Sequence, residues 1–375
     1  MYKVLQVSSD TNIGGAGKVL LTYLDAYDKK KFNVSVVMPR GSLLKAPVSA
    51  KKARIIEIDG MRDKSLDPSA IRILYKLFKK EKPDIVHTHA SLSARIAARL
   101  AGVPAVVYTR HSLFTPTGFF SKGLGKAFNA WLNNSTTDAV IAVADAAKDE
   151  LISAGVKPEK VHVVLNGVAP LRPIDEKRRD QLRKKFGIGK DEKSAAIIGR
   201  LSAVKGHEYF VEAARLVLEK GIKAKFLIAG TGEREAELKE LVKAKGLEES
   251  VLFTGFLENI GELVNCIDIE VNSSLSEATS LALIEAMSLG KPCVVTDAGG
   301  NRGVVENEVC GYVVPVGDPY ALADKITLLF TDNEIYNMMS INSRSRYEND
   351  FTARAMTASI EQVYVETLNK KSFHK

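Results

Sequence analysis

Cysteine is scarce in this chain: 375 residues hold three, Cys266, Cys293 and Cys310. An odd number without metal-ligand spacing argues against a disulfide framework and against a thiolate metal site. Lying in or beside strand-like runs, the three read as small reduced core residues. Long apolar runs are missing too. No stretch approaches the roughly 18 residues that a membrane-spanning helix needs, and the opening MYKVLQVSS leads straight into a strand instead of a signal peptide, so the expected location is the cytoplasm. There is no internal repeat and no low-complexity tract. Nor is there a recognition motif or aromatic-basic platform for nucleic acid, which leaves nucleic acid out of the expected partners.

What the chain does have is length, alternation and an uneven charge. Its length makes two domains the default expectation. The formal net charge of +8 is concentrated at the front, where residues 1–168 carry 25 Lys and Arg against 14 Asp and Glu; the remainder carries 28 against 31. A basic front half suits an acidic substrate or an anionic membrane surface. Strands are predicted over 2–8, 33–38, 54–58, 85–88, 105–109, 139–143 and 161–165, several with helix-like segments between them. This is the βα alternation of a doubly wound parallel sheet, an α/β fold. Asn166, Gly167 and Val168 close the first domain, and APLRPID, with Pro170 and Pro173, reads as a linker. A basic helix over 177–185 opens the second domain, whose strands are predicted at 194–198, 226–229, 251–253, 267–271 and 293–296. The expected division is 1–168, 169–350 and a terminal segment 351–375, with an amphipathic helix over 352–369.

The stretch SSLSEATSLALIEAMSLGKPCVVTDAGG, from Ser273 to Gly300, is the most informative. It leaves a strand, turns through small polar residues and enters a short buried helix over 281–289 that Gly290 and Pro292 stop. Glu277 precedes that helix and Glu285 lies within it. Ser280 is the expected N-cap, so amides near Ala278, Thr279, Ser280 and Leu281 would face a phosphate at the carboxyl edge of the sheet. Two carboxylates flanking an anion site suit a ligand with hydroxyls on both sides of its phosphates, as in a sugar nucleotide. The alternative is a pair of surface acids beside an ordinary buried helix.

Other stretches carry chemistry as well. Gly14, Gly15 and Gly17 sit at a strand-to-helix turn, where glycine lets backbone approach a phosphate or sugar, although neither G-x-G-x-x-G nor a P-loop is completed. His87 and His89 end a strand; with no third ligand suggested nearby they read as a structural or acceptor-side pair. Arg110 and His111 end another strand and open a loop with Phe114, Phe119 and Phe120, followed by Lys122, Lys126 and Trp131. A lone histidine at a strand end is by itself most simply a hydrogen-bonded structural residue. In GRLSAVKGHEYFVEA, Arg200 and Lys205 flank a loop before a helix and could clamp a diphosphate, or be solvated surface cations. Gly230 and Thr231 follow one strand, Phe256 and Leu257 another, at the same sheet edge. Finally, Ile71, Leu74, Leu77 and Phe78 stand at helical spacing with Arg72, Lys76, Lys79 and Lys80 on other faces, a pattern of membrane docking or of plain packing on a sheet.

Glu277 and Glu285 as E-x7-E, then Ala286, Met287 and GKPCVVT from Gly290, resemble the signature of the retaining glycosyltransferases of family 4. The Gly14-Gly15 pair, His111, the N-G-V at Asn166 and the G-R-L-x-x-x-K-G of Arg200 and Lys205 are similar to further family motifs, in family order, over nearly the whole chain. The resemblance implies a GT-B fold, two Rossmann-like domains with a donor cleft, a terminal helix that crosses back to the first domain, and transfer of a sugar with retention. It implies that Gly14, Gly15, Arg200 and Lys205 meet the donor diphosphate, and that the loops at Gly230, Thr231, Phe256 and Leu257 hold the base. Glu277 would orient sugar hydroxyls, Glu285 the ribose, and His111 the sugar at the reacting end. UDP is the implied nucleotide, with ADP and GDP left open. No D-x-D motif offers an acidic pair to a metal, so neither metal nor cofactor is expected. The acceptor expected is a saccharide, lipid-linked, of a cell-surface polymer. Where many members read E-G-F-G-L this chain has Glu277 to Leu281 as EATSL, so no sugar identity carries over. A sugar-nucleotide epimerase of the same fold and a non-catalytic sugar-nucleotide-binding module are the alternatives.

Overall fold

The computed structural model describes residues 1–61, 65–89, 91–113 and 122–372. They form two compact units, one made of Met1–Val168 with the chain from Ala353 onward, the other of Ala169–Thr352.

In the first unit the order is β1 (Tyr2–Ser8), α1 (Gly15–Ala26), β2 (Phe32–Pro39), α2 (Lys45–Ala50), β3 (Arg54–Ile58), α3 (Pro68–Glu81) and β4 (Ile85–His89). It continues with α4 (Leu92–Ala101), β5 (Ala105–Arg110), α5 (Gly123–Thr136), β6 (Ala139–Ala142), α6 (Asp145–Ser153) and β7 (Val161–Val163). The second unit comprises α7 (Glu176–Lys185), β8 (Lys193–Ile198), α8 (His207–Glu219), β9 (Ala224–Ala229), α9 (Glu235–Ala244), β10 (Val251–Gly255), α10 (Ile260–Cys266) and β11 (Ile269–Asn272). After these come α11 (Leu281–Met287), β12 (Cys293–Thr296), α12 (Asn301–Val304), β13 (Gly311–Val314), α13 (Pro319–Thr331) and α14 (Asn333–Asp350). Helix α15 (Ala353–Ser372) then returns to the first unit.

The sheet orders are β3-β2-β1-β4-β5-β6-β7 and β10-β9-β8-β11-β12-β13. All their pairings are parallel. Apolar runs rather than alternation mark these strands because helices cover both faces, so that in β1, β5 and β12 nearly every residue is buried. Strand β13 had no counterpart among the predicted strands. Its partner edge requires Gly311, where a Cβ would stand 2.1 Å from the Cys293 carbonyl oxygen.

The stripe of α3 settles one expectation. Leu74 and Phe78 are fully buried in the first unit's core, and Ile71 and Leu77 pack against it. This face is therefore covered by protein and cannot dock on a membrane; the lysines outside are a solvated rim. The three cysteines are free and buried.

Candidate active site

In the second sheet the chain reverses direction between β8 and β11, so the loops that leave these adjacent strands diverge. Open α/β sheets bind ligands at such a switch point. The β8 loop carries Arg200 and Lys205, and the β11 loop carries Glu277. Backbone locks the two loops together: Leu275 N–H donates to the Val204 carbonyl at 2.8 Å. The Ser273 hydroxyl donates to the carbonyls of Gly206 (2.8 Å) and Lys205 (3.2 Å). Gly206 has φ +61°, and a Cβ there would lie 2.3 Å from the Ser273 oxygen, so no other residue allows this approach.

On this frame Lys205 Nζ donates to Glu277 Oε2 at 2.5 Å. Asn272 Nδ2 (3.4 Å) and Ser274 Oγ (3.3 Å) reach the same carboxylate oxygen. Asn272 is itself held by Asn301 Nδ2 at 3.2 Å, and Gly300 N–H bonds the Glu277 carbonyl at 2.8 Å. The pair is largely shielded, the two side chains being 24% and 10% exposed. Arg200 is exposed, and among the described residues no carboxylate pairs with it. Next to Lys205, His207 is fully buried, and burial, then Lys205 and Arg234, lower its pKa to about 4. It is neutral, so it adds no charge to the cluster at pH 7.

Ser280 occupies the N-cap position of α11, as expected, and its side chain makes no capping bond; the helix has seven residues and its N-cap serine is buried. Glu285 lies half-buried on this helix. Burial and then the charge of Glu285 raise the carboxyl of the buried Glu270 well above the usual range.

Gly230 and Thr231 follow β9, and Phe256 and Leu257 follow β10. Leu201 N–H bonds the Thr231 carbonyl (3.0 Å), and Gly230 N–H bonds the Gly255 carbonyl (2.9 Å), so three strand ends share one ledge. A Cβ on Gly230, where φ is +137°, would fall 1.9 Å from the Gly199 oxygen. Phe256 presents an exposed ring beside this ledge.

In the first unit the reversal falls between β1 and β4. Gly14 is the N-cap residue of α1 and Gly15 its first residue; a Cβ on either would meet nothing within 4 Å, so packing inside the chain does not demand glycine there. Asn166 is buried and lines a small cavity with Gln6, His87, His89 and Thr109. His111, just past β5, is half-buried and hydrogen-bonded through Nε2 to His89 Nδ1 at 2.8 Å. His87 and His89 are indeed bonded inside the fold. They bring His111, Gln6 and Tyr364 into one connected group that no local pattern reveals, since Gln6 and Tyr364 lie 358 residues apart. Asn272 and Ser274 on Glu277 are likewise visible only in the fold. Among the described residues no cluster of three or more His, Cys, Asp or Glu could hold a metal ion. Phe114, Phe119 and Phe120 lie outside the described residues.

Two parallel α/β sheets with charged and glycine-bearing loops at their switch points define the GT-B class of sugar-handling proteins. Residues 13–172 match the family model Glycosyltransferase Family 4, and residues 178–346 match Glycosyl transferases group 1. The chain is 30% identical over 383 residues to the UDP-Gal:alpha-D-GlcNAc-diphosphoundecaprenol alpha-1,3-galactosyltransferase of Escherichia coli, covering 98% of both chains. It is 30% identical to the alpha-D-kanosaminyltransferase of Streptomyces kanamyceticus, over 72% of this chain and 73% of that one. Among solved structures, Anabaena HepE in complex with UDP superposes with a TM-score of 0.85 at 21% identity, over 97% of this chain and 100% of that one. The chain belongs to the group 1, family 4 glycosyltransferases and has the GT-B fold.

Proposed function

We propose that this glycosyltransferase moves a sugar from a UDP-sugar to a lipid-linked saccharide in the assembly of a cell-surface polysaccharide, with retention at the anomeric carbon. The observation that carries the reading is the Lys205–Glu277 pair at the β8/β11 switch point, with exposed Arg200 on the same loop as Lys205. Arg200 and Lys205 meet the negative charge that grows on the leaving diphosphate, as a metal would elsewhere. Glu277, held by Lys205, Asn272 and Ser274, accepts sugar hydroxyls, and Glu285 the ribose hydroxyls. Gly14 and Gly15 leave room for the diphosphate, and the ledge at Gly230, Thr231, Phe256 and Leu257 takes the base. Ala278 to Leu281 border the sugar, and His111 and Asn166 are assigned to sugar binding as well. The C1–O bond to the diphosphate breaks, the acceptor oxygen bonds C1 on the same face, and the acceptor proton passes to the departing phosphate.

The donor and acceptor classes are supported by the relatives: the name of the E. coli enzyme gives UDP-Gal as donor and a diphosphoundecaprenol-linked sugar as acceptor, and HepE was solved with UDP. A thermal-shift panel tests the donor. UDP-sugars raise the melting temperature selectively, by mass action, and GDP- and ADP-sugars do not; a flat panel contradicts the reading. Transfer proceeds unchanged with chelator present, and a strict requirement for a divalent ion contradicts the proposed role of the two cations.

An acceptor in a bilayer calls for a docking face, and α5 has one. Leu124, Phe128 and Trp131, at i, i+4 and i+7, are 85%, 50% and 62% exposed, beside Lys122 and Lys126. No described helix is long and apolar enough to cross a membrane. The α5 face lies in the interface plane of an anionic leaflet, which the basic first unit attracts. Wild type co-sediments with anionic vesicles at low salt and Phe128→Ser/Trp131→Ser does not; equal sedimentation of the two contradicts the assignment.

A further inference from the structure

A chain of hydrogen bonds runs through the first unit from β5 to the C-terminal helix. His111 Nε2 lies 2.8 Å from His89 Nδ1, and His89 Nε2 lies 3.0 Å from Gln6 Oε1. Gln6 Nε2 donates to the Tyr364 hydroxyl at 2.8 Å, and this hydroxyl lies 2.6 Å from His87 Nδ1. His87 Nε2 ends the chain 2.6 Å from Thr109 Oγ1. The imidazoles stack, with centroids 4.7 Å apart for His87 and His89 and 5.1 Å for His89 and His111. Gln6, His87 and His89 are buried and Tyr364 is fully so. A network this enclosed has few ways to satisfy its donors and acceptors.

Its protons can be placed by elimination. Gln6 spends its amide N–H on Tyr364, so the carbonyl Oε1 faces His89 and can only accept. His89 Nε2 therefore carries the proton. Burial lowers the pKa of His89 to about 4, so the ring is neutral and its Nδ1 is bare. A bare Nδ1 needs a donor, which is His111 Nε2–H. Burial and then the neighbouring His89 hold His111 well below the ordinary histidine range as well, so its own Nδ1 is unprotonated.

We propose that Gln6, His89 and Tyr364 are positioning residues that hold His111 as a neutral Nε2–H tautomer, so that it offers its Nδ1 lone pair to a hydroxyl of the donor sugar. The value of His111 to transfer rests on the reading above; its tautomer does not. In this arrangement the sugar hydroxyl donates to the histidine and its own oxygen stays free for other donors. The arrangement also ties the site residue to α15, because Tyr364 orients the amide that orients His89. A lone ring at a strand end would exchange tautomers freely.

Long-range proton–nitrogen correlation spectra of the histidine-labelled full chain at neutral pH read the tautomers directly. The proposal expects Nε2–H signatures for both His89 and His111. A Nδ1–H tautomer or an imidazolium at either position overturns it. Gln6→Met removes the amide while keeping volume, and it leaves His111 as a mixture of tautomers. Its kcat then falls roughly 10- to 100-fold, the size seen when an orienting partner of a functional histidine is lost, while UDP affinity stays at the wild-type value. Gln6→Glu gives His89 a carboxylate partner and a second proton, which drives His111 to Nδ1–H, with a similar loss in kcat. Wild-type tautomers and kcat in both variants overturn the proposal. His111→Ala, assayed alongside, separates the two claims: full activity there refutes the placement of His111 at the sugar, whereas a large loss there with wild-type turnover in Gln6→Met refutes the relay alone.

Discussion

Lys205 and Glu277 sit on loops from two adjacent strands that diverge at the switch point, and their side chains are joined at 2.5 Å. The contact means that the cation proposed for the diphosphate and the acid proposed for the sugar are held by each other before any ligand arrives. A donor that bridges them replaces a bond already made, so neither group is reorganised from solvent. Lys205→Met should cost roughly 10²- to 10³-fold in turnover, the range for one preorganised donor. It should also cost about 1–3 kcal/mol of stability, because Glu277 keeps only its two neutral donors. Denaturant unfolding of both single mutants and the double mutant checks the second figure; strict additivity would show that the pair is not coupled.

Gly230 should tolerate no side chain. Its φ of +137° and the 1.9 Å approach to the Gly199 oxygen make Gly230→Ala destabilising by roughly 3 kcal/mol or more, since both the backbone and the β8 loop must shift. Gly14→Ala, where a Cβ meets nothing within 4 Å, should leave the melting temperature within a degree or two and lower donor affinity instead. The two variants measured together by thermal unfolding and calorimetry distinguish a glycine needed by the fold from one needed by the ligand.

The two acids should part company in binding. Glu285→Ala weakens UDP and the UDP-sugar alike, because the ribose is common to both; Glu277→Ala weakens chiefly the UDP-sugar. Isothermal titration with each ligand reads this, and equal losses in both variants would mean that the roles are wrongly assigned.

Much of this was legible in the chain itself. The apolar runs of β1, β8 and β12 and the glycines at their carboxyl ends announce a parallel sheet and its ligand edge, and Lys205 and Glu277 could each be singled out by residue type and setting. Their contact could not, because 72 residues separate them and only the strand order brings β8 beside β11. The same holds for Gln6 and Tyr364. The helix α3 shows the complementary limit. Periodicity identifies an apolar stripe but not what covers it, so the face of Leu74 and Phe78 could be read as docking or as packing; the exposed apolar face of α5 lies where the sequence suggested a loop, and was not anticipated. Strand β13, four residues like β12, was missed because it opens on Gly311 and runs straight into Pro315, so that turn residues bracket its short apolar run.

Acid should destabilise both units through buried histidines. His89 and His207 have folded pKa values lowered to about 4 from an ordinary 6.5, with burial the leading cause in each. A lowered histidine pKa means that the unfolded chain binds the proton first. The stabilisation is whole above pH 6.5 and is lost as the pH falls towards 4, at most about 3 kcal/mol per histidine. Neither ring nitrogen of His207 has a partner among the described residues. His207→Leu should therefore unfold less steeply on the acid side than wild type when melting temperature is followed from pH 7.5 to 4.5; an unchanged slope would remove His207 from the account.

Transfer itself decides the central claim. The enzyme is given a UDP-α-sugar identified by thermal shift, a short lipid-diphosphate saccharide as acceptor and excess chelator, and the anomeric configuration of the product is read from its one-bond carbon–proton coupling. The account predicts an α-linked product, lost in Arg200→Ala. A β-linked product, or an isomerised UDP-sugar formed without acceptor, would contradict it.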